Sequence, residues 1–307
     1  MEGASIINAE RSTLEFASIA SFGHAKLKRI GKDVDVADSS LAFHLRASGQ
    51  RSVLLVSPAR FPNAIREDFD KAATMKAALG RLGDVILTPT DTGHILNSSF
   101  AVVPYRRPLF KAPGLSWADR RLMRGHVASW LENVAGTFRF CGIERYQRAV
   151  ETMRDIAPQG SLTQQAAIAA NRHLINGYFR PVTVPMHGDL WRGNVLRGKR
   201  GGPPLHLIDW GGSLVDGYPI LDLLTMAGSF HIGPAALARE LGKHYAKLEC
   251  RSEDMLVYLM GGLGHLANNL GEFPIKRFHQ LAENLVTLYD GAIGGELRWP
   301  PAIMSRG

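Results

Sequence analysis

Three polar side chains carry the chemistry this sequence can do. Asp189 lies in His187-Gly-Asp189, Asn194 follows it five residues on, and Asp209 ends the apolar run Leu205-His-Leu-Ile208. A carboxylate at Asp189 can orient an attacking hydroxyl and accept its proton. Oxygen ligands at Asn194 and Asp209 can hold Mg²⁺ against nucleotide phosphates. Together these are the needs of metal-dependent phosphoryl transfer. Gly193 is expected to let the loop fold back, so that Asn194 converges on the strand of Asp209.

Such groups need rigid supports. Val182 and Val184 precede a polar turn, Val195-Leu196 resumes the apolar pattern, and the run into Asp209 follows. The pattern predicts a strand, a tight loop and two further strands, with acids at the bends.

Upstream, His24–Ile30, Leu41–Arg46 and Arg51–Val56 read as three short strands joined by turns, an antiparallel meander. Asn63–Leu82 has an apolar stripe at helical spacing, and Val85–Leu87 and Ser99–Val103 read as two more strands. Pro104–Pro108 and Pro113-Gly114 form a connector. After it the sequence turns helical. Ser116 is placed to cap a helix through Leu131, and Ser161 or Thr163 to start one reaching about Tyr178. Four more helices are expected at Ile220–Phe230, Pro234–Leu248, Ser252–Leu270 and Lys276–Tyr289. The expected division is 1–105, small and β-rich, and 106–307, large and helical. Gly261-Gly-Leu-Gly264 fits no phosphate-loop spacing and reads as close helix packing.

With 307 residues, 45% hydrophobic and 21% charged, the composition is that of an ordinary globular protein with material for two lobes. No apolar run approaches the roughly 20 residues that span a bilayer, and the N-terminus lacks the pattern of a signal peptide. No membrane partner is expected. Two cysteines, Cys141 and Cys250, form neither a metal spacing nor a disulfide framework, which points to a reduced cytoplasm. The formal charge of +8 favours anionic partners, but the basic residues are dispersed, which disfavours nucleic acid. Oligomeric state is not legible.

His187-Gly-Asp-Leu-Trp-Arg-Gly-Asn194, Leu207-Ile-Asp-Trp210 and Asp216-Gly-Tyr-Pro-Ile-Leu-Asp222 resemble the matching segments of the aminoglycoside phosphotransferase and choline kinase-like family, relatives of protein kinases. The resemblance is sharp over about residues 182–224. It implies an α+β, two-lobed protein kinase-like fold: a small antiparallel β lobe with one helix for the nucleotide, ATP or GTP, and a larger mainly helical lobe for the acceptor. It implies Asp189 as catalytic base and Asn194 with Asp209 as Mg²⁺ ligands. His187 buttresses the loop, Asp222 hydrogen-bonds it, and Arg192 meets phosphate or substrate, or faces water.

One family feature is missing. The third strand, Val53-Leu-Leu-Val56, holds no lysine to grip the phosphates, and Glu67, Asp70 and Lys71 all stand near the place of the lysine's acidic partner on the helix. Lys71, Arg46, Lys26 and Lys28 are candidate replacements. Lys71 and Arg46, with Val103 and Tyr105, make up the expected nucleotide contacts. The implied activity is phosphoryl transfer to a small-molecule hydroxyl: a sugar, an amino alcohol or an aminoglycoside-like compound. A positive chain repels polycations at long range, so a neutral or anionic acceptor fits better than an aminoglycoside. Trp117, Trp130, Phe230, Tyr245 and Tyr258 are candidates for stacking on a sugar ring, although such residues more often pack helices. The alternative is a kinase-like binding or scaffold protein that has lost catalysis.

Overall fold

The computed structural model describes residues 12–15, 17–22, 26–30, 40–47, 49–109, 117–176, 178–271, 273–295 and 297. Two compact units emerge. The first comprises the described residues up to Pro108 together with Leu196–Gly211, and the second Leu109–Val195 with the described residues from Gly212 onward.

The first unit is built on a sheet of β1 (Lys26–Ile30), β2 (Leu41–Ala47), β3 (Gln50–Val56), β4 (Asp91–Ile95) and β5 (Ser98–Pro104), in the order β1-β2-β3-β5-β4. Every neighbouring pair is antiparallel. Alternation decides the faces. Leu41, Phe43, Leu45, Leu54, Val56, Ile95 and Val102 pack on one side with Leu14, which lies in the helical residues 12–15. The other face holds Leu87, Val103 and Leu196, with Val53, Leu55, Phe69 and Ile208 packed against them. Phe69 comes from α1 (Ala64–Leu79), whose buried Ile65, Ala72, Met75 and Leu79 recur at helical spacing. Ser57, just past β3, and Ser99 of β5 satisfy the start of α1: Ile65 N–H donates to Ser57 Oγ (2.9 Å) and Arg66 N–H to Ser99 Oγ (3.2 Å).

The sequence reading needs correcting here. Val85–Leu87 is not a strand. Gly80–Val85 is a 3₁₀ turn, and Ile86 makes only an isolated parallel bridge to Leu207. The strand β4 escaped the reading because Asp-Thr-Gly-His has little strand propensity. The boundary also differs from a simple break after residue 105. The strand β6 (Arg107–Pro108) pairs with β9 (Val195–Arg197), which neighbours β10 (Leu205–Leu207). Those pairings, with Leu196 and Ile208 in the Val103 cluster, tie 196–211 to the first unit.

The second unit has a three-stranded sheet, β7 (Arg139–Phe140), β8 (Val182–Met186) and β11 (Leu214–Gly217), in the order β11-β8-β7. Its helices are α2 (Trp117–Ala135), α3 (Glu144–Ile156), α4 (Leu162–Ile175), α5 (Leu221–Ser229), α6 (Pro234–Leu248), α7 (Asp254–Asn268) and α8 (Ile275–Ala292). Ser161 caps α4 through Oγ, which accepts Gln164 N–H at 3.1 Å, and the helix stops at Ile175, before the expected Tyr178. The expected cap at Ser116 lies outside the described residues. The reading passed over α3, although its buried Tyr146, Ala149, Val150 and Met153 recur at helical spacing. Tyr146 stacks edge-on with Phe179 and Tyr218 at 4.8 and 5.2 Å and donates its hydroxyl to Val182 O. Trp130 and Tyr258 are core residues too, so neither is free to stack on a ligand.

The Gly261–Gly264 stretch lies inside α7 and is buried. A Cβ on Gly264 would stand 2.0 Å from the Ala149 carbonyl oxygen of α3. Backbone, not a flexible side-chain end, blocks it, so the two helices must part. Alanine's better helix propensity returns about 1 kcal/mol and overpacking costs about 1–3 kcal/mol or more. Gly264→Ala is therefore expected to lower stability by about 2 kcal/mol, read as a lower urea midpoint at unchanged m-value.

Candidate active site

In the second unit the segment between β8 and β9 is held from below by one carboxylate. Asp222, in the first turn of α5, is buried, and its two oxygens accept His187 N–H at 2.6 Å and Gly188 N–H at 2.9 Å. Gly188 has φ +85, and a Cβ there would meet the Gly212 carbonyl oxygen at 2.4 Å, so only glycine fits this corner. The His187 ring is fully buried and its Nδ1 accepts Asp189 N–H at 3.3 Å, which makes it part of the loop's frame. Burial pushes the Asp222 carboxyl up to about 7 even though its two N–H donors pull the other way, and the nearby Asp189 charge adds to the rise.

Asp189 itself is exposed. Asn194 is buried, and its Nδ2 donates to Asp189 O (2.9 Å) and to Asp189 Oδ2 (3.1 Å). With the amide so oriented, Asn194 presents Oδ1 as its remaining oxygen. A 3₁₀ turn at Arg192–Asn194 brings Asn194 into this position. Gly193 does not use a left-handed conformation here. A Cβ there would stand 2.3 Å from the far edge of the Trp191 ring, which would have to move aside. Arg192 N–H donates to Ser229 Oγ at 3.0 Å, which pins the loop to the end of α5.

A cavity of about 610 Å³ opens at Asp189. Its polar lining is Trp191, Thr225, Ser229, Asn284 and Thr287, and Leu281, Leu285 and Leu288 of α8 supply the apolar wall. Asp189 is the one charged group among these lining residues.

In the first unit, Asp209 ends the β10 segment in a left-handed conformation, φ 67. Its side chain is solvent-exposed but crowded by protein atoms, and the resulting desolvation raises its pKa. Lys71 is brought to this segment: its Nζ donates to Gly211 O. The acid beside it is Asp68, which the sequence reading overlooked. Its carboxylate accepts the Trp210 and Gly211 N–H groups, and burial together with the Asp209 charge raises it to about 6. Glu67 and Asp70, the acids considered for this place, both face solvent. The signal was present in the sequence: Asp68 stands three residues after Ile65 and four before Ala72, on the buried stripe of α1.

The other expected nucleotide contacts lie elsewhere on the sheet. Arg46 pairs with Arg51, whereas Leu55 pairs with Ala42, four residues back along β2. Arg46 thus sits far down the strand from Leu55, and it lines a cavity of about 470 Å³ with Lys26, Lys28, Arg51 and Tyr105. The Tyr105 ring lies 5.2 Å from that of His44. Val103 is buried in the apolar cluster against which Leu55 also packs. The sheet therefore unites Arg46 with Tyr105, and α1 carries Lys71 to Asp209.

Residues 137–255 match the model of the phosphotransferase enzyme family. Among solved structures, aminoglycoside phosphotransferase APH(4)-Ia superposes with a TM-score of 0.56 at 15% identity, over 92% of this chain and 99% of that one. Choline kinase LicA from Streptococcus pneumoniae gives 0.53 at 12% identity, over 94% and 99%. The fold is protein kinase-like. The chain shares it with aminoglycoside phosphotransferases and choline kinase, as the His187–Asn194 and Leu207–Trp210 segments led one to expect. No curated protein sequence matched the chain.

Proposed function

We propose that this protein moves the γ-phosphoryl group of ATP or GTP to a hydroxyl of a small molecule. One observation carries the reading: an exposed carboxylate, Asp189, oriented by Asn194 Nδ2 at 3.1 Å, faces a cavity of about 610 Å³ whose other lining residues are neutral. That cavity is of a size that takes a small ligand. The acceptor oxygen bonds to the γ-phosphorus as the bond to the β-phosphate oxygen breaks. The hydroxyl proton passes to Asp189, and the nucleoside diphosphate leaves.

Asn194 and Asp209 would hold Mg²⁺. An amide oxygen left over after Nδ2 is committed to Asp189, and an exposed carboxylate on a rigid strand end, suit a hard cation that completes its shell with phosphate and water oxygens. Bound there, the ion neutralises charge on the phosphates. Lys71, beside Asp209 through its bond to Gly211, supplies the positive charge that Leu55 does not. His187 and Asp222 hold the loop in shape. The two free cysteines suit a reduced cytoplasmic setting. Among the described residues, no helix is long and apolar enough to cross a membrane.

A second reading, a kinase-like binding or scaffold protein, is favoured by one feature, the apolar packing of Leu55. Calorimetry separates the two. The wild type is expected to bind ATP or GTP with Mg²⁺, and Asp209→Ala to bind at least about tenfold more weakly with metal and unchanged without it. Absence of any metal-dependent nucleotide binding by the wild type would support the scaffold.

A further inference from the structure

The cavity at Asp189 is lined from two helices of the second unit, α5 and α8, and by Trp191. Leu281, Leu285 and Leu288 stand four and then three residues apart along α8, so they share one face, and that face is turned to the cavity. Leu285 is buried, whereas Leu281 and Leu288 keep part of their surface open. Trp191 is exposed, and its six-membered ring lies against Gly193. Open apolar surface gathered beside a reactive carboxylate is what an apolar ligand would cover.

Charge narrows the ligand further. Asp189 is the one charged lining residue, and in the proposed reaction it must take a proton. An ammonium group paired with it would hold its carboxyl down and make it a poorer base. A phosphate or carboxylate placed beside it would be repelled. The two acids of α8 offer a cation no other seat. Glu283 accepts the Leu162 and Thr163 N–H groups at 3.2 and 3.1 Å and the Thr163 hydroxyl at 2.7 Å, so it is committed to the start of α4. Asp290 is buried and accepts Leu297 N–H at 2.9 Å. The polar lining that remains suits hydroxyls. Asn284 Oδ1 accepts the Gln280 side-chain amide at 2.9 Å, which leaves Nδ2 to donate, and Thr225 Oγ1 donates to Leu221 O at 3.0 Å and keeps its lone pairs.

We propose that the acceptor is a neutral hydroxyl compound with an apolar face or chain, which lies against Leu281, Leu288 and Trp191 while its reacting hydroxyl meets Asp189. This rests on the phosphotransferase reading, which makes Asp189 the base and its cavity the acceptor's.

Matched glucosides test it. Hexyl and methyl β-glucoside carry the same free hydroxyls and differ only in the length of the apolar chain. Binding is measured first, without nucleotide, by calorimetry and tryptophan fluorescence. Hexyl glucoside is expected to bind at least about tenfold more tightly than methyl glucoside. That preference should shrink to about twofold or less in Leu281→Asn/Leu288→Asn, checked for folding by its thermal melt, and the fluorescence change should vanish in Trp191→Phe. In turnover with Mg²⁺ and ATP, kcat/KM should favour hexyl glucoside over methyl glucoside, and over aminohexyl glucoside, whose chain ends in a cation. Equal affinity for the hexyl and methyl compounds, or a preference for the aminohexyl one, would overturn the inference, and phosphorylation of any of the three would then leave the phosphotransferase reading standing. A hexyl preference undiminished in the leucine variant would overturn it too. If the preference depends on the leucines and yet no alcohol is phosphorylated, the apolar site stands and the phosphotransferase reading falls.

Discussion

Asp189→Ala is expected to lower kcat by about 10²–10⁴-fold, the usual worth of a positioned general base. The fold should survive, for a geometric reason. Asp189 is exposed, and Asn194 Nδ2 keeps the Asp189 main-chain oxygen, at 2.9 Å, when the carboxylate is gone. Steady-state kinetics with a matched thermal melt reads both halves: a large loss of kcat and a midpoint within about a degree or two of wild type. Equal loss of activity and stability would mean that Asp189 holds the loop together and is not the group that takes the proton.

Asp222 should behave in the opposite way, acting on stability first. Its carboxylate is the acceptor for His187 N–H and Gly188 N–H at 2.6 and 2.9 Å, in a buried place that water does not reach. Leaving a buried donor unpaired costs about 1–3 kcal/mol, so Asp222→Ala is expected to lose about 2–6 kcal/mol in urea denaturation near pH 8. Activity should fall with it, because a loop that shifts by about an ångström misplaces Asp189 and costs on the order of 10²-fold.

The same residue gives a pH signature. In the folded protein its pKa is raised to about 7 from 3.8. Between those values the native state binds the proton and the unfolded chain does not, so this group's contribution to stability is fully present below about pH 4 and is lost as pH rises towards 7. Asp222→Asn cannot titrate. The stability difference between wild type and that variant should therefore shift against the wild type from pH 4 to 7 and be flat above. A gap that instead widened in favour of the wild type over that window would place the Asp222 pKa below its ordinary value.

The site was legible in the sequence where its parts lie close along the chain. His187 to Asn194 is one loop, and its polar residues at a strand end stood out against Val184 and Val195 on either side. Asp222 was named as a partner of that loop through the family resemblance, from its place at the start of a helix. What the sequence hid was convergence. Leu281, Leu285 and Leu288 belong to one more expected helix, Lys276–Tyr289, and only the fold of the second unit sets them round the cavity at Asp189. Asp68 was hidden differently. It lies on an apolar stripe, where an acid reads as a break in the pattern, and its partners are backbone N–H groups at Trp210 and Gly211 that no side-chain pattern reports. The strand β4 was lost because local propensity argued against it, and its pairing with β5 prevailed; α3 was passed over although Tyr146, Ala149, Val150 and Met153 stand at helical spacing among good helix formers.

In the proposed reaction a phosphoryl group moves to a small-molecule hydroxyl whose proton Asp189 takes. Phosphorus NMR tests it most directly, on the protein with Mg²⁺, ATP or GTP, and a panel of sugars, alkyl glucosides, amino alcohols and phosphate- or carboxylate-bearing alcohols. The expected result is a new phosphomonoester resonance growing in step with nucleoside diphosphate for the wild type, and its absence for Asp189→Ala under the same conditions. A resonance of equal size in both proteins, or none from the wild type with any acceptor, would contradict it.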